Sequence, residues 1–317
     1  MLPLSAIATN LKRLLFPFRV KTIKDNQLIT PSEMKENFIL NNNTLSYVNT
    51  NLVGEFYIPY NWSNNSPKII QEKAFDGCDK LTLVKMERNI TTIGVAAFRK
   101  CSNLKTVILS PNVNVLMANT FEGCTALNSI NLSNINQIGD YCFIFNKSLE
   151  QVNLSETLTY IGTAAFQSCI RLRTITIPNS VSIIGPDAFS NCYSLVSANI
   201  PNEVETIESG TFRECVNLLG ISISENTKYI RPYAFYNCKR LKTFQVPNSL
   251  LSIDSFSFMN CSNLTSIRIS NAATELQPNC FKNCYKLTII CYRNSKAHKY
   301  ALANNIKYRF IDSTFNY

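Results

Sequence analysis

The segment Ile161-Gly-Thr-Ala-Ala-Phe166-Gln-Ser-Cys169-Ile-Arg-Leu172-Arg-Thr-Ile175-Thr-Ile177-Pro178 decides the fold, because its pattern recurs along most of the chain. Cysteine follows the phenylalanine by three residues and leucine follows it by six, and apolar and polar residues then alternate. A fixed period of roughly 20 to 50 residues is the signature of a repeat architecture. The matching phenylalanines are spaced by 23 residues, with one interval of 22: Phe75, Phe98, Phe121, Phe143, Phe166, Phe189, Phe212, Phe235, Phe258 and Phe281.

Each repeat predicts a short strand, a turn and a second extended piece. The alternation around Ile175 and Ile177 points every second side chain inward. One repeat cannot bury that face alone, but neighbours stacked at a strand spacing of about 4.8 Å can. The sequence therefore predicts a single α/β repeat solenoid that is dominated by strands. It has a wall of parallel strands, short helical or 3-10 turns, and capped ends.

The core of this solenoid is predicted to consist of columns of one residue type. Phenylalanine should stack on phenylalanine, and the cysteines should be reduced, buried thiols that fit a tight turn. The chain has no C-x-x-C pair and only one histidine, so no metal site is predicted. The predicted structural columns include Phe98, Phe121, Phe166, Phe189, Phe212, Phe235, Cys101, Cys169, Cys192, Cys215 and Cys238.

These units resemble the leucine-rich-repeat superfamily, and specifically its BspA-like class of bacterial and protist surface proteins. The resemblance covers about residues 52–292. It implies a leucine-rich-repeat fold, display at a surface as an antigen, and adhesion to host matrix proteins such as fibronectin or fibrinogen.

The chain divides into three predicted parts. Residues 1–51 are basic and amphipathic, with apolar residues at helical spacing, and are predicted to cap the array. Residues 52–292 form about ten repeats of 23 residues. Residues 293–317 are predicted to be a C-terminal cap, with Ser295 as the N-cap of a short helix and a closing strand over residues 306–310.

The net charge of +10 lies mainly at the two ends of the chain. It divides into +3 over residues 1–50, +1 over residues 51–281 and +6 over residues 282–317. A groove for nucleic acid would need a basic stripe along the body, so nucleic acid is not expected as a partner. No apolar run reaches the length of about 18 residues that a transmembrane helix needs, so none is predicted.

Catalysis is not expected, because the single histidine, His298, lies outside the array and no phosphate-binding, dinucleotide or zinc-protease motif occurs. No catalytic residue and no cofactor is predicted. The 22-residue interval places a deletion in the turn at residues 133–137, and the same repeat carries Cys142 for alanine and Asn146 for cysteine. We interpret this repeat as a tolerated irregularity.

The outward strand positions form a mostly uncharged row of hydroxyl and amide groups, which predicts non-catalytic binding of a protein, with a glycan as the other ligand class. A monomer is expected. Two settings stay open: a cell-surface adhesin, as the resemblance implies, and an intracellular interaction scaffold in the cytoplasm, which the lack of a clear signal peptide favours. The candidate binding residues are Asn131, Gln151, Asn153, Thr174, Thr176, Asn199, Gln245 and Arg268.

Overall fold

A computed structural model describes residues 38–48, 50–58, 60, 66–271 and 274–311. The helix predicted near the N-terminus lies outside these residues. The described chain begins with an antiparallel hairpin of β1 (Phe38–Asn41) and β2 (Thr44–Val48). From there it winds as a strand-dominated parallel solenoid, as predicted, in which each repeat forms one coil.

One side of the solenoid, here called the strand wall, carries one short strand in every coil except the one that contains Thr174. The strands pair in parallel in four groups, and between the second and third groups a single bridge joins Thr174 to Ser197. The groups are β3 (Gly54–Ile58), β5 (Leu81–Met86) and β7 (Thr106–Ile108); β9 (Ser129–Leu132) and β11 (Gln151–Leu154); β14 (Ser197–Asn199) and β16 (Gly220–Ser222); and β18 (Thr243–Gln245), β20 (Ser266–Ile269), β22 (Thr288–Cys291) and β23 (Lys307–Phe310).

A second set of two-residue strands runs along another side of the solenoid. Each has its second residue inward, as in Ile138 and Ile161, and neighbouring strands pair in parallel within three groups, which are separated between the coils of Ile93 and Leu116 and between those of Ile184 and Ile207. The hairpin strand β2 joins the N-terminal end of this set. The strands are β4 (Ile69–Ile70), β6 (Thr92–Ile93), β8 (Val115–Leu116), β10 (Gln137–Ile138), β12 (Tyr160–Ile161), β13 (Ile183–Ile184), β15 (Thr206–Ile207), β17 (Tyr229–Ile230), β19 (Ser252–Ile253) and β21 (Glu275–Leu276).

The ten repeat phenylalanines form one continuous column in the core. Successive rings stack with centroids 4.7–5.6 Å apart and planes within 24° of parallel. The rings are almost completely excluded from solvent, and offset stacking at this spacing adds to the free energy gained by burying them. At the N-terminal end Phe56 tilts onto Phe75 and continues the column.

The turn that holds each phenylalanine, here called the turn wall, is not the helical or 3-10 turn that the sequence suggested. The residues two before and two after the phenylalanine, such as Ala164 and Ser168 around Phe166, have left-handed φ values in all ten coils, and only three of these twenty residues are glycine. Left-handed residues end a right-handed helix, so two consecutive tight turns form instead. Backbone N–H groups of these turns donate to carbonyl oxygens of the next coil. The N–H of Phe166, for example, donates to the carbonyl of Ala188 at 2.8 Å.

The cysteine column ties each coil to the coil before it. The thiol of Cys192 donates to the carbonyl oxygen of Phe166 at 3.2 Å, and seven further cysteines make the same bond 26 residues back at 3.0–3.3 Å. Burial raises the pKa of the Cys192 thiol from its ordinary value of 9.0 to about 12, because the thiolate would lose its hydration. The Cys192 thiol is therefore protonated at neutral pH and acts as a hydrogen-bond donor.

The C-terminal end of the array is covered by helix α1 (Lys296–Ala303) and β23. The Ser295 side chain accepts a hydrogen bond from the backbone N–H of His298, so the predicted N-cap is present. The Tyr300 ring meets Phe281 edge-on at 6.0 Å and closes the phenylalanine column. His298 accepts a hydrogen bond at Nδ1 from the Asn294 N–H, and its ring packs against Tyr308 and Phe310, so it has a structural place in the cap.

Candidate binding face

The strand wall is where the predicted binding residues lie, and seven of the eight are exposed on it. In β9, Ile130 and Leu132 point into the core while Ser129 and Asn131 face solvent. The same alternation exposes Gln151 and Asn153 in β11 and Gln245 in β18. The inward apolar residues thus fix the direction of the polar ones. The exposed predicted residues are Asn131, Gln151, Asn153, Thr174, Thr176, Gln245 and Arg268.

The wall is not flat, and these seven residues line three open depressions along it. The first, of about 250 Å³, includes Asn131. The second, of about 400 Å³, includes Gln151, Asn153, Thr174 and Thr176. The third, of about 500 Å³, includes Gln245 and Arg268. The structure therefore brings four of the predicted residues together at one place, two at another, and Asn131 at a third.

Asn199 differs from the other predicted residues because the fold uses its side-chain amide. Its Oδ1 accepts from the backbone N–H of Ile177 at 2.8 Å, and its Nδ2 donates to the carbonyl of Ile177 at 2.7 Å. Within the described residues no regular strand forms at 174–177, and the Asn199 amide takes the place of a backbone pair there. Asn199 consequently has little hydrogen-bonding capacity left for a ligand.

Charge on the outward positions is confined to the two ends of the wall. At the N-terminal end the Tyr57 hydroxyl donates to the Glu55 carboxylate at 3.0 Å, which raises the Tyr57 pKa because the phenolate would face that carboxylate. At the C-terminal end three outward side chains are basic: Arg268 in β20, and Lys307 and Arg309 in β23. The coils between carry uncharged outward residues.

One residue of the wall was missed by the sequence analysis: Gly220, which occupies an outward position of β16 between two coils that carry side chains there. A Cβ atom built on Gly220 would meet no heavy atom within 4 Å, and its φ is outside the left-handed region. The signal in the sequence was a glycine at the strand position where Thr174, Ser197 and Thr243 stand in other repeats.

Two other kinds of site are absent from the described residues. No group of three or more histidine, cysteine, aspartate or glutamate residues there is arranged to hold a metal ion. No helix of the described part has the length and apolarity needed to cross a bilayer.

Several solved bacterial structures are similar to this chain. A leucine-rich repeat protein of T. pallidum has 23% identity and a TM-score of 0.46, covering 65% of this chain and 87% of its own. A leucine-rich cell surface protein of Faecalibacterium prausnitzii has 22% identity and a TM-score of 0.44, covering 83% and 94%. The pneumococcal vaccine antigen PcpA has 15% identity and a TM-score of 0.41, covering 88% and 99%. Among curated proteins, none matches this chain.

The family is shown by the repeats themselves. The model of the BspA type leucine-rich repeat region matches residues 68–196 and 182–309, which together span more than half of the chain. Repeats of this type form protein-binding solenoids, in which stacked coils present one extended surface. The chain belongs to the BspA-type leucine-rich repeat family.

Proposed function

We propose that this chain binds a protein partner through the strand wall, without catalysis and as a monomer. The setting we propose is a cell surface, with host matrix proteins such as fibronectin or fibrinogen as partners. The BspA-type repeats and the uncharged outward row support this proposal. Hydroxyl and amide groups offer hydrogen bonds over many coils without selecting a ligand by net charge.

The observation that carries the proposal is Gly220. All nine glycines lie within the described residues, and the other eight each have either a left-handed φ or a neighbour too close for a side chain. At Gly162, for example, a Cβ would lie 2.6 Å from the backbone nitrogen of Asp140. Gly220 has neither constraint.

Glycine inside a strand costs about 0.5–1 kcal/mol relative to alanine, because more conformational freedom is lost on folding. Since neither the conformation nor the packing of Gly220 requires this residue, the fold gives no reason for that cost. A glycine in a strand often marks a place where another backbone approaches closely. Gly220 opens a notch between Ser197 and Thr243, and we assign it to the approach of the partner's main chain.

The substitution Gly220→Thr tests this assignment, because threonine favours a strand and would fill the notch. We expect the melting temperature to stay or rise, and binding to immobilised fibronectin and fibrinogen, measured by biolayer interferometry, to fall at least tenfold. Ser182→Thr, at an exposed position off the strand wall, is the matched control. Unchanged binding by Gly220→Thr would contradict the notch, and no binding of either protein by the wild type would contradict the matrix partner.

The second candidate function is an intracellular interaction scaffold that uses the same wall. It is favoured by the twelve cysteines, all of which are free and buried, because free thiols are typical of a reducing compartment. Antibody staining of intact cells, with and without permeabilisation, separates the two settings. Staining without permeabilisation supports the adhesin, and staining only after permeabilisation supports the scaffold.

A further inference from the structure

The C-terminal end of the strand wall is its longest continuous sheet, formed by β18, β20, β22 and β23. Pairing in register places Gln245, Arg268, Ile290 and Arg309 in one row across the four strands. Arg268 and Arg309 are therefore two strands apart, a distance of about 9.6 Å between their backbones. The apolar side chain of Ile290 lies between them on the same face.

The two guanidinium groups of this row are exposed and are not neutralised by the protein. Within the described residues neither Arg268 nor Arg309 forms an ion pair, and Lys307 in the neighbouring row forms none. Residues 282–311 contain seven basic residues and no acidic one. The depression that Arg268 lines also includes one carboxylate, Glu225, which belongs to an earlier coil and forms no ion pair with Arg268.

We infer that this row is the subsite that selects an acidic segment of the protein partner, with Arg268 and Arg309 each binding a carboxylate and Ile290 contacting an apolar side chain between them. A segment in the extended polyproline II conformation advances about 3.1 Å per residue with three residues per turn, so carboxylates three residues apart point to the same side, about 9.3 Å apart, and match the spacing of the two arginines. Guanidinium groups bind carboxylates with two parallel hydrogen bonds, which gives the pair geometric selectivity. This inference rests on the proposed function, since it assumes that the partner lies on the strand wall.

The charge of the region fits an acidic partner better than a neutral one. The outward positions from Thr106 to Gln245 carry no charge, so the positive charge of the two arginines stands at the end of a long uncharged stretch of the wall. A partner aligned by it would place its acidic segment at the C-terminal end and an uncharged segment over Gly220. The row thus gives the partner a direction along the array.

The test uses a fluorescein-labelled peptide with a Glu-Ile-Thr-Glu core and a matched peptide in which glutamine replaces glutamate. Fluorescence anisotropy at low and high salt measures their binding to the full chain. We expect the acidic peptide to bind at least tenfold more tightly than the neutral one, with the difference decreasing at high salt because exposed charges are screened. The double variant Arg268→Gln/Arg309→Gln should lose this preference.

The control variant Lys239→Gln/Arg240→Gln removes the same charge from exposed positions off the wall and should keep the preference. Equal loss in both double variants, or no preference in the wild type, would overturn the subsite. A heparin oligosaccharide that binds while the acidic peptide does not would also overturn it, in favour of a sulfated glycan. If the peptides show no preference for acid, the acidic subsite is wrong, but the effect of Gly220→Thr on matrix-protein binding is not affected. If Gly220→Thr leaves matrix-protein binding unchanged, the proposed function itself is contradicted.

Discussion

The coil of Phe189 and the coil of Phe143 differ in length and in composition, yet both stack on their neighbours with nearly the same spacing of the phenylalanine rings. The Phe143 ring lies 5.6 and 5.2 Å from its neighbours, and the Phe189 ring lies 5.5 Å from both of its own. The missing residue is absorbed between β9 and β10, where the connection covers residues 133–136, against 155–159 between β11 and β12. Strand pairing continues in register on both sides.

The difference between the two coils is chemical and lies at one position. Cys192 bonds to the coil before it, whereas Asn146 is fully buried and its Oδ1 and Nδ2 have no hydrogen-bond partner within the described residues. A deletion in an exposed turn leaves the fold intact because the inward alternation still sets the strand register. A polar exchange in the core keeps the shape but leaves desolvated groups unpaired.

The largest expected effect is the loss of a ring from the column, which should be similar in both coils. Phe189→Ala and Phe143→Ala should each lower the free energy of unfolding by about 3–5 kcal/mol, since each leaves a cavity between two stacked rings. Urea denaturation followed by circular dichroism measures this. Tyr193→Ala removes an exposed aromatic side chain from the Phe189 coil and should change stability little. A loss below about 1 kcal/mol at Phe189 would contradict the column as the main source of stability.

The second effect is the repair of the irregular coil. Asn146→Cys should raise the free energy of unfolding by about 1–3 kcal/mol, because it removes a buried amide without partners and restores the thiol bond. The reverse exchange, Cys192→Asn, should lower it by a comparable amount. Thermal melting of both variants is the measurement. A destabilised Asn146→Cys variant would mean that the amide is hydrogen-bonded in solution.

The third effect is the dependence of stability on alkaline pH. The pKa of Cys192 is raised in the folded protein from 9.0 to about 12, so its contribution is present below pH 9 and is lost as the pH rises from 9 towards 12. In that window the unfolded thiol releases its proton and the folded one does not, which lowers the free energy of unfolding by about 1.4 kcal/mol per pH unit.

Melting between pH 8 and 10.5 under reducing conditions measures this slope. Cys192→Ala removes one thiol and should reduce the loss of unfolding free energy per pH unit. Asn146→Cys adds one buried thiol and should increase that loss. Identical slopes in the wild type and both variants would show that the column thiols ionise equally in the folded and unfolded states.

The smallest effect separates two asparagines of the strand wall. Asn199→Ala should cost about 1 kcal/mol, because the paired N–H and C=O groups of Ile177 lose their partner. Asn153→Ala, at an exposed position without a structural bond of this kind, should stay within about 0.5 kcal/mol of the wild type. Equal melting temperatures for the two variants would contradict the structural use of Asn199.

Much of the fold could be predicted because the repeat period fixes which residues point inward. The phenylalanine column, the inward direction of Ile175 and Ile177 and the N-cap at Ser295 all follow from spacing and residue type. The turn wall could not be predicted, because its left-handed positions carry residues as different as Lys73, Asp187 and Tyr233. Asparagine, aspartate or glycine, which tolerate a left-handed conformation, occupy only half of the twenty positions, and at the others the conformation is imposed by bonds to the next coil.

The sequence predicted which side chains of the strand wall face outward, but not which of them the fold itself uses. Alternation alone places Gln151, Asn153 and Gln245 on the outside, and it places Asn199 there as well. That Asn199 is used by the fold depends on a break in the strand pairing beside it, which is a property of two adjacent coils. The role of Gly220 could not be predicted from the sequence either, since only the open space around it in the folded chain shows that the fold does not need a glycine.

The hydrogen bonds between coils have a mechanical consequence, because on the strand wall and on the turn wall they run along the long axis. Force applied to the two ends would load the junctions in series, so the weakest coil would detach first and the others would follow one at a time. Each repeat of 23 residues would release about 80 Å of extended chain. The molecule would therefore lengthen in regular steps under tension, as an extensible tether.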